Sequence, residues 1–164
     1  MNLYFSGFSL NNEQDIFQDI INKSDFTVSG FSYGAIKAFD YVLNCNTRVD
    51  TLQLISPAFF QTKDKKYKRL QLMFFNKDKK QYCNNFIQNT TYGSSIDLKP
   101  YLKHGSQNEL EELLYYNWDK SKLEDLIDKG IKIEVYLGED DKIIDSSEAY
   151  KFFKEFSTVY LIKN

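Results

Sequence analysis

Gly30-Phe31-Ser32-Tyr33-Gly34 is the stretch that decides the fold of this chain. Residues 25–29 before it predict a short strand, and residues 35–39 after it predict the start of a helix. A serine at such a strand-to-helix turn is held bare at the end of a sheet, where a base can reach its hydroxyl. Glycines on both sides leave room for the tight turn. We therefore predict that Ser32 is a nucleophile, with an ordinary glycine-rich turn as the alternative.

The composition predicts one globular domain, residues 1–164. The chain is 42% hydrophobic and 16% aromatic, which is typical of a packed core. Its net charge of −2 argues against a dedicated nucleic-acid binder. Cys45, Cys83 and His104 form no metal-spaced motif, so we predict neither a metal site nor a cofactor. With no secretory signal or transmembrane run, we expect a cytoplasmic protein without a membrane partner.

Alternating strands and helices predict an α/β fold with about five parallel strands. The strand segments are residues 3–5, 25–29, 49–55, 131–137 and 158–162. Asn11 or Asn12 is expected to cap a helix that carries Ile16, Phe17 and Ile20 on one face. No clear strand occurs at about 59–129, which we predict to be a helical lid inserted between two strands. Capping-box patterns begin at Ser106 and Ser121 within that insertion.

The strands alternate in polarity, which predicts two different sheet faces. Ile131, Ile133 and Val135 point one way, and Lys132 and Glu134 point the other. A parallel sheet covered by helices on both faces should instead have continuous apolar strands. We therefore expect most helices to pack on one face and the other face to be thinly covered.

The glycine-flanked serine resembles the nucleophile elbow of α/β-hydrolases. The loop Gly138-Glu139-Asp140-Asp141 resembles the one that carries the acid of the catalytic triad, which makes Asp141 the expected acid. That acid would orient a histidine and not take its proton. Ser6-Gly7-Phe8 occupies the place of the oxyanion loop, although Ser6 stands where a histidine is common. The resemblance implies that the N–H groups of Phe8 and Tyr33 form the oxyanion hole.

The resemblance is closest to the short pimeloyl-[acyl-carrier protein] methyl ester esterases of the BioV type. It rests on pieces that lie in order along nearly the whole chain: residues 5–8, residues 28–38, Ser56-Pro57, residues 68–72 and residues 133–135. The family implies hydrolysis of the methyl ester of pimeloyl-carrier protein in biotin biosynthesis. An acyl-carrier protein would be the partner, and no cofactor would be needed.

One departure from the family concerns the catalytic base. The family places a histidine in the loop after the last strand, where this sequence has only Lys163-Asn164. Three interpretations stay open: the sequence is a truncated version of a longer one, His104 reaches the site from the lid, or the site is inactive. A small-molecule esterase or thioesterase and an inactive hydrolase-like binding module are therefore the rival functions.

A lysine-rich stretch lies within the predicted lid. Residues 63–80 contain eight basic side chains and two acidic ones, although the whole chain has a net charge of −2. One interpretation is a solvated helix face in a lysine-rich protein. The other is a docking patch for an acidic carrier protein, formed by Lys65, Lys66, Lys68 and Arg69, because long-range attraction speeds association. RNA or a membrane surface would also suit a basic helix, but no aromatic-basic RNA motif accompanies it.

Overall fold

A five-stranded parallel sheet forms the centre of the computed structural model, which describes residues 2–91 and 96–163. The strands are β1 (Leu3–Phe5), β2 (Thr27–Phe31), β3 (Thr51–Ile55), β4 (Lys132–Gly138) and β5 (Thr158–Ile162). Their order in the sheet is their order in the chain, and every neighbouring pair is parallel. The predicted α/β architecture with five parallel strands is confirmed.

Six α-helices connect or flank these strands in the described part of the chain. They are α1 (Tyr33–Asn44), α2 (Lys65–Lys77), α3 (Lys79–Thr90), α4 (Gln107–Tyr115), α5 (Lys120–Asp128) and α6 (Ser146–Phe153). Helix α1 packs on the first three strands, and α5 and α6 pack on β4. The main core lies in between, where Leu54 and Val135 of the sheet are buried together with Phe39 of α1 and Phe153 of α6.

The opposite face of the sheet carries a smaller apolar cluster and a polar network. Phe31 and Ile55 belong to the cluster. Next to it, Gln53 Nε2 donates a hydrogen bond to Glu134 Oε1 at 2.9 Å, and the Lys132 ammonium lies 3.2 Å from Glu134 Oε2. Lys132 is exposed whereas Val135 is fully buried, so the two faces differ in polarity as predicted. The expected thin cover of the polar face is wrong at the centre of the sheet, where Ser29 and Gln53 are buried. Glu134 is also almost buried, because Gln53 and Lys132 satisfy its carboxylate.

The expected helix after Asn12 is wrong in type and length. Only a 3₁₀ segment, Glu13–Phe17, forms there, and the Asn12 side chain caps nothing. Gln53 explains the early stop, because its amide nitrogen donates to the Ile20 carbonyl at 3.0 Å and its amide oxygen accepts from the Asn22 N–H at 2.8 Å. A continuing helix would need those backbone groups for its own hydrogen bonds.

The segment between β3 and β4 is helical, as the sequence predicts. The capping box at Ser106 is present and begins α4. The one expected at Ser121 is wrong, since α5 begins at Lys120 and its cap is Asp119. We call α2 and α3 the helical hairpin, because Asp78 alone separates them and they contact each other. That residues 59–129 act as a lid stays a prediction, and residues 92–95 within them lie outside the described part.

Candidate active site

Ser32 lies at the turn from β2 into α1, where its backbone is held in an unusual conformation. Its φ of 57° and ψ of −116° are outside the regions that L-residues normally adopt. The Ser32 N–H donates to the Ile55 carbonyl at 2.9 Å, and its own carbonyl accepts from the Ala35 and Ala58 N–H groups at 3.1 Å each. Such strain persists only where the surroundings fix it, and it is typical of functional sites.

The two glycines of the elbow are required by space. A Cβ atom on Gly30 would lie 2.1 Å from the Gly34 carbonyl oxygen. One on Gly34 would lie 2.0 Å from the Phe5 carbonyl oxygen at the end of β1. Both neighbours are backbone atoms that cannot move aside without disturbing the sheet. Close packing of β1 on the first turn of α1 therefore sets the position of Ser32.

Asp141 and Ser32 line the same small cavity, of about 30 Å³. Asp141 follows β4, and its Oδ1 accepts hydrogen bonds from the N–H groups of Ile143 at 2.7 Å and Ile144 at 3.0 Å. Burial raises the pKa of the Asp141 carboxyl, and the two backbone hydrogen bonds oppose that rise only in part. The fold thus brings two residues that are far apart in sequence to the same cavity. Their roles as nucleophile and orienting acid stay predictions.

The N–H groups of Phe8 and Tyr33, the predicted oxyanion donors, have no hydrogen-bond acceptor among the described residues. Tyr33 is the first residue of α1, where an N–H has no partner within the helix. No hydrogen bond within the described residues uses either N–H. The loop that carries Phe8 packs against the elbow, since a Cβ on Gly7 would lie 2.8 Å from the Phe31 ring. An oxyanion role for these groups stays a prediction.

His104 lies in an exposed turn before α4. Neighbouring backbone ties this turn to the loop after β1, because the Lys103 N–H donates to the Ser9 carbonyl at 2.8 Å. Within the described residues, no hydrogen bond or ion pair joins the His104 side chain to Ser32 or Asp141. The structure therefore does not bring the one histidine of this sequence together with the other predicted triad members.

The predicted docking residues lie on α2, away from the Ser32 cavity. Lys65, Lys66 and Arg69 are exposed. The Lys68 ammonium lies over the Tyr115 ring, 5.2 Å from its centre, so part of its role is packing against α4. None of the four lines the cavity that holds Ser32. Binding of a carrier protein at these residues stays a prediction.

Three neighbouring clefts lie between the helical hairpin and Ser32, and each shares lining residues with the next. The outermost one, of about 500 Å³, lies between α2 and α3 and includes Lys77 and Gln81 near the hairpin tip. It shares Gln71 and Asn89 with a middle cleft of about 60 Å³. The middle cleft shares Ile143 with the cavity that holds Ser32. No sequence pattern indicates these clefts, because their lining residues come together only through helix pairing.

A separate apolar cleft of about 220 Å³ also borders the Ser32 cavity. Both are lined by Phe31, Ser56 and Thr90. The remaining lining is mainly aliphatic and aromatic, and it includes Ile16, Ile55 and Ile162. The Ser32 cavity thus has clefts of the helical hairpin on one side and an apolar pocket beside the sheet on the other.

Neither a metal cluster nor a membrane-spanning helix occurs in the described part of the chain. No group of three or more His, Cys, Asp or Glu side chains within residues 2–91 and 96–163 could hold a metal ion. No helix in those ranges is long and apolar enough to cross a membrane.

Comparison with solved structures identifies the fold. A carboxylesterase from the thaumarchaeon Nitrososphaera gargenis matches with a TM-score of 0.66 at 14% identity, over 99% of this chain and 81% of the other. A hydrolase from Oleispira antarctica matches with a TM-score of 0.70 at 10% identity, with the same coverage. The chain has the α/β-hydrolase fold.

A third match is the protein BioG. BioG from Haemophilus influenzae aligns with a TM-score of 0.60 at 14% identity, over 99% of this chain and 86% of that protein. No family model and no curated protein matches the sequence. At these identities the similarity establishes the fold alone, so activity and substrate have to be inferred from the site.

Proposed function

We propose that this chain is a serine carboxylic-ester hydrolase. The observation that carries the proposal is the strained Ser32 turn opening into the cavity that Asp141 also lines. Ser32 Oγ attacks the ester carbonyl, and the N–H groups of Phe8 and Tyr33 stabilise the tetrahedral oxyanion. The alcohol leaves with a proton, and water then hydrolyses the acyl-enzyme. The esterases among the matched structures support this reaction class.

The proton of Ser32 needs a base, and Asp141 is suited to orient one. A buried carboxylate stabilises the imidazolium that forms when a histidine takes the serine proton. His104 is the candidate within this sequence, and a histidine outside these 164 residues is the other. Replacing His104 by alanine separates the two, since an unchanged rate of Ser32 labelling excludes His104 as the base.

For the substrate, we propose the methyl ester of pimeloyl-[acyl-carrier protein]. Three features support it: the resemblance to BioV-type esterases, the basic face of α2 and the cleft along the helical hairpin. Helix α3 lines that cleft from Gln81 to Asn89, a length of roughly 12 Å at 1.5 Å per residue. Amide side chains along it suit a long flexible arm that carries amide groups. The methyl group is small enough for the confined space at Ser32.

A small-molecule esterase is the second candidate, and the apolar cleft of about 220 Å³ favours it. An acyl chain in that cleft would bypass the helical hairpin altogether. The two candidates differ in their substrates. A small-molecule esterase should cleave a free hydrophobic methyl ester at the same rate as a carrier-bound one. Its rate should also depend little on salt.

Covalent labelling with a fluorophosphonate tests the reaction class. With a competent histidine present, the wild-type protein should be labelled at Ser32, as located by peptide mass spectrometry, and Ser32→Ala should not be labelled. Ser56→Ala is the matched control, because Ser56 lines the same cavity but lies outside the elbow. Equal labelling of the wild type and Ser32→Ala would remove the hydrolase proposal and favour an inactive binding module.

A further inference from the structure

Glu13 is a buried carboxylate that touches the predicted oxyanion loop. It belongs to the 3₁₀ segment after β1 and is fully buried. Its Oε1 accepts a hydrogen bond from the Gly7 N–H at 2.7 Å and another from the Tyr4 hydroxyl at 2.7 Å. Burial and the nearby carboxylate raise the pKa of Tyr4, so its hydroxyl keeps the proton that it donates. Burying an acid is costly, so such a placement needs a reason.

The contacts of the loop on either side of Gly7 show what Glu13 holds in place. Asn12 N–H donates to Ser6 Oγ at 3.2 Å, and Leu10 N–H donates to the Gly7 carbonyl at 3.1 Å. The Gly7 N–H is thus taken by Glu13, while the next N–H along the chain, that of Phe8, forms no hydrogen bond within the described residues. The hydrogen bond from Leu10 to the Gly7 carbonyl fixes the peptide plane that contains the Phe8 N–H, and Glu13 fixes the plane before it. With both planes anchored, rotation about the Gly7 Cα is restricted, and with it the direction of the Phe8 N–H.

We infer that Glu13 is a positioning residue, which anchors the Gly7 amide so that the Phe8 N–H stays directed at the oxyanion formed on Ser32. This inference rests on the proposed hydrolase activity. Glu13 does not touch the substrate and transfers no proton. Its effect should therefore appear in the rate of the covalent step and not in the affinity of the substrate.

The test compares variants that keep or lose the acceptor at Oε1. Glu13→Gln retains an oxygen that can accept from the Gly7 N–H, Glu13→Ala removes it, and Glu13→Asp shortens the side chain by one methylene. Gln53→Leu is the control for a purely structural loss, since Gln53 is equally buried and hydrogen-bonded but does not contact the loop. Fluorophosphonate labelling at several probe concentrations gives the maximal rate and the half-saturating concentration for each folded variant.

Glu13→Ala and Glu13→Asp should lower the maximal labelling rate about 10- to 100-fold, with the half-saturating concentration changed less than about twofold. Glu13→Gln should stay within about threefold of wild type, because its amide oxygen can still accept from the Gly7 N–H. Gln53→Leu should lose stability but keep its rate. If Glu13→Ala does not fold, Glu13→Asp, which keeps the charge, carries the same test. Wild-type rates in both variants would reduce Glu13 to a structural role and overturn the inference.

Hydrogen exchange at the Gly7 amide separates this inference from the proposed function. In wild type that amide should be protected, and in Glu13→Ala or Glu13→Asp it should exchange at least about tenfold faster. Equal exchange in wild type and the variants would overturn the anchoring role, whatever the labelling shows. Wild-type protein that is never labelled at Ser32 would instead overturn the hydrolase proposal, while the exchange result still decides whether Glu13 holds the loop.

Discussion

The elbow at residues 30–34 and the helical hairpin lie on either side of three neighbouring clefts but are built in opposite ways. Every residue of the elbow is buried, and the Ser32 backbone is fixed by hydrogen bonds to neighbouring segments. On the hairpin, Met73 and Phe74 are about half exposed, and Lys65 and Lys66 also face solvent. The elbow is determined by what surrounds it, whereas the outer face of the hairpin is exposed to solvent.

Gly34→Ala should have the largest effect, because the new Cβ would meet the Phe5 carbonyl oxygen at 2.0 Å. We expect a loss of unfolding free energy on the order of 3 kcal/mol or more, measured by urea denaturation. Gly138→Ala is the matched control, since nothing lies within 4 Å of a Cβ placed there. Equal stability of the two variants would show that β1 does not constrain the elbow.

Ser32→Gly should stabilise the protein while abolishing fluorophosphonate labelling. The backbone strain at Ser32 is worth about 1–3 kcal/mol and would be relieved, while glycine costs roughly 0.5–1 kcal/mol in chain entropy. The net gain should be about 1 kcal/mol. Ser32→Ala, which keeps the strain, should be close to wild type in the same denaturation experiment. A Ser32→Gly variant no more stable than Ser32→Ala would mean that the turn is not strained.

Asp141→Asn should slow labelling of Ser32 and raise stability at neutral pH by a smaller amount. The pKa of Asp141 is raised above 3.8 in the folded state, so the native protein binds more protons than the unfolded chain between that value and the raised pKa. Stability therefore falls as pH rises through this window, and the full cost persists above it. Asn cannot ionise but keeps an oxygen that can accept from Ile143 and Ile144.

Unfolding curves at acidic and neutral pH check this sign. Wild type should lose stability relative to Asp141→Asn as the pH rises, and the difference should level off once the Asp141 carboxyl is ionised. A wild type that gains on the variant over the same interval would contradict the burial of an ionised carboxylate beside Ser32.

Charge reversal on the hairpin should have the smallest effect on the fold and a selective one on recognition. Lys65→Glu combined with Lys66→Glu should change stability by less than about 0.5 kcal/mol, because both side chains are exposed. If an acidic carrier docks there, kcat/KM for the carrier-bound methyl ester should fall roughly tenfold at low ionic strength. The loss should shrink above about 0.15 M salt, where the Debye length is near 8 Å.

Two comparisons make this result specific to docking. Hydrolysis of a free methyl ester should be unchanged in the double variant, because Ser32 and Asp141 are untouched. Lys122→Glu combined with Lys129→Glu, on the exposed face at α5, should leave both substrates unaffected. A defect shared by both substrates, or one that does not respond to salt, would assign the α2 lysines to support of the fold.

Local patterns are sufficient for the elbow and for the existence of the strands, although β2 begins and ends two residues later than residues 25–29. Apolar runs locate β1 and β5 at their observed limits, and the glycine spacing around Ser32 is enough to mark the turn. The same patterns fail after Asn12, where the sequence is compatible with a helix. There Gln53, distant in the chain, takes the backbone groups that a helix needs.

The sequence by itself determined the alternating α/β architecture, the nucleophile candidate and the two-faced sheet, because these depend on short-range periodicity and on steric limits within a few residues. Only the tertiary structure decided that Asp141 shares a cavity with Ser32 and that Glu13 accepts a hydrogen bond from the Gly7 amide. It also decided that His104 lies in an exposed turn, with no hydrogen bond to Ser32 or Asp141 in the described part of the chain. Each of these facts depends on contacts between segments that the sheet and its helices bring together. Spacing along the chain does not encode such distances, because they are set by how strands align and helices pack.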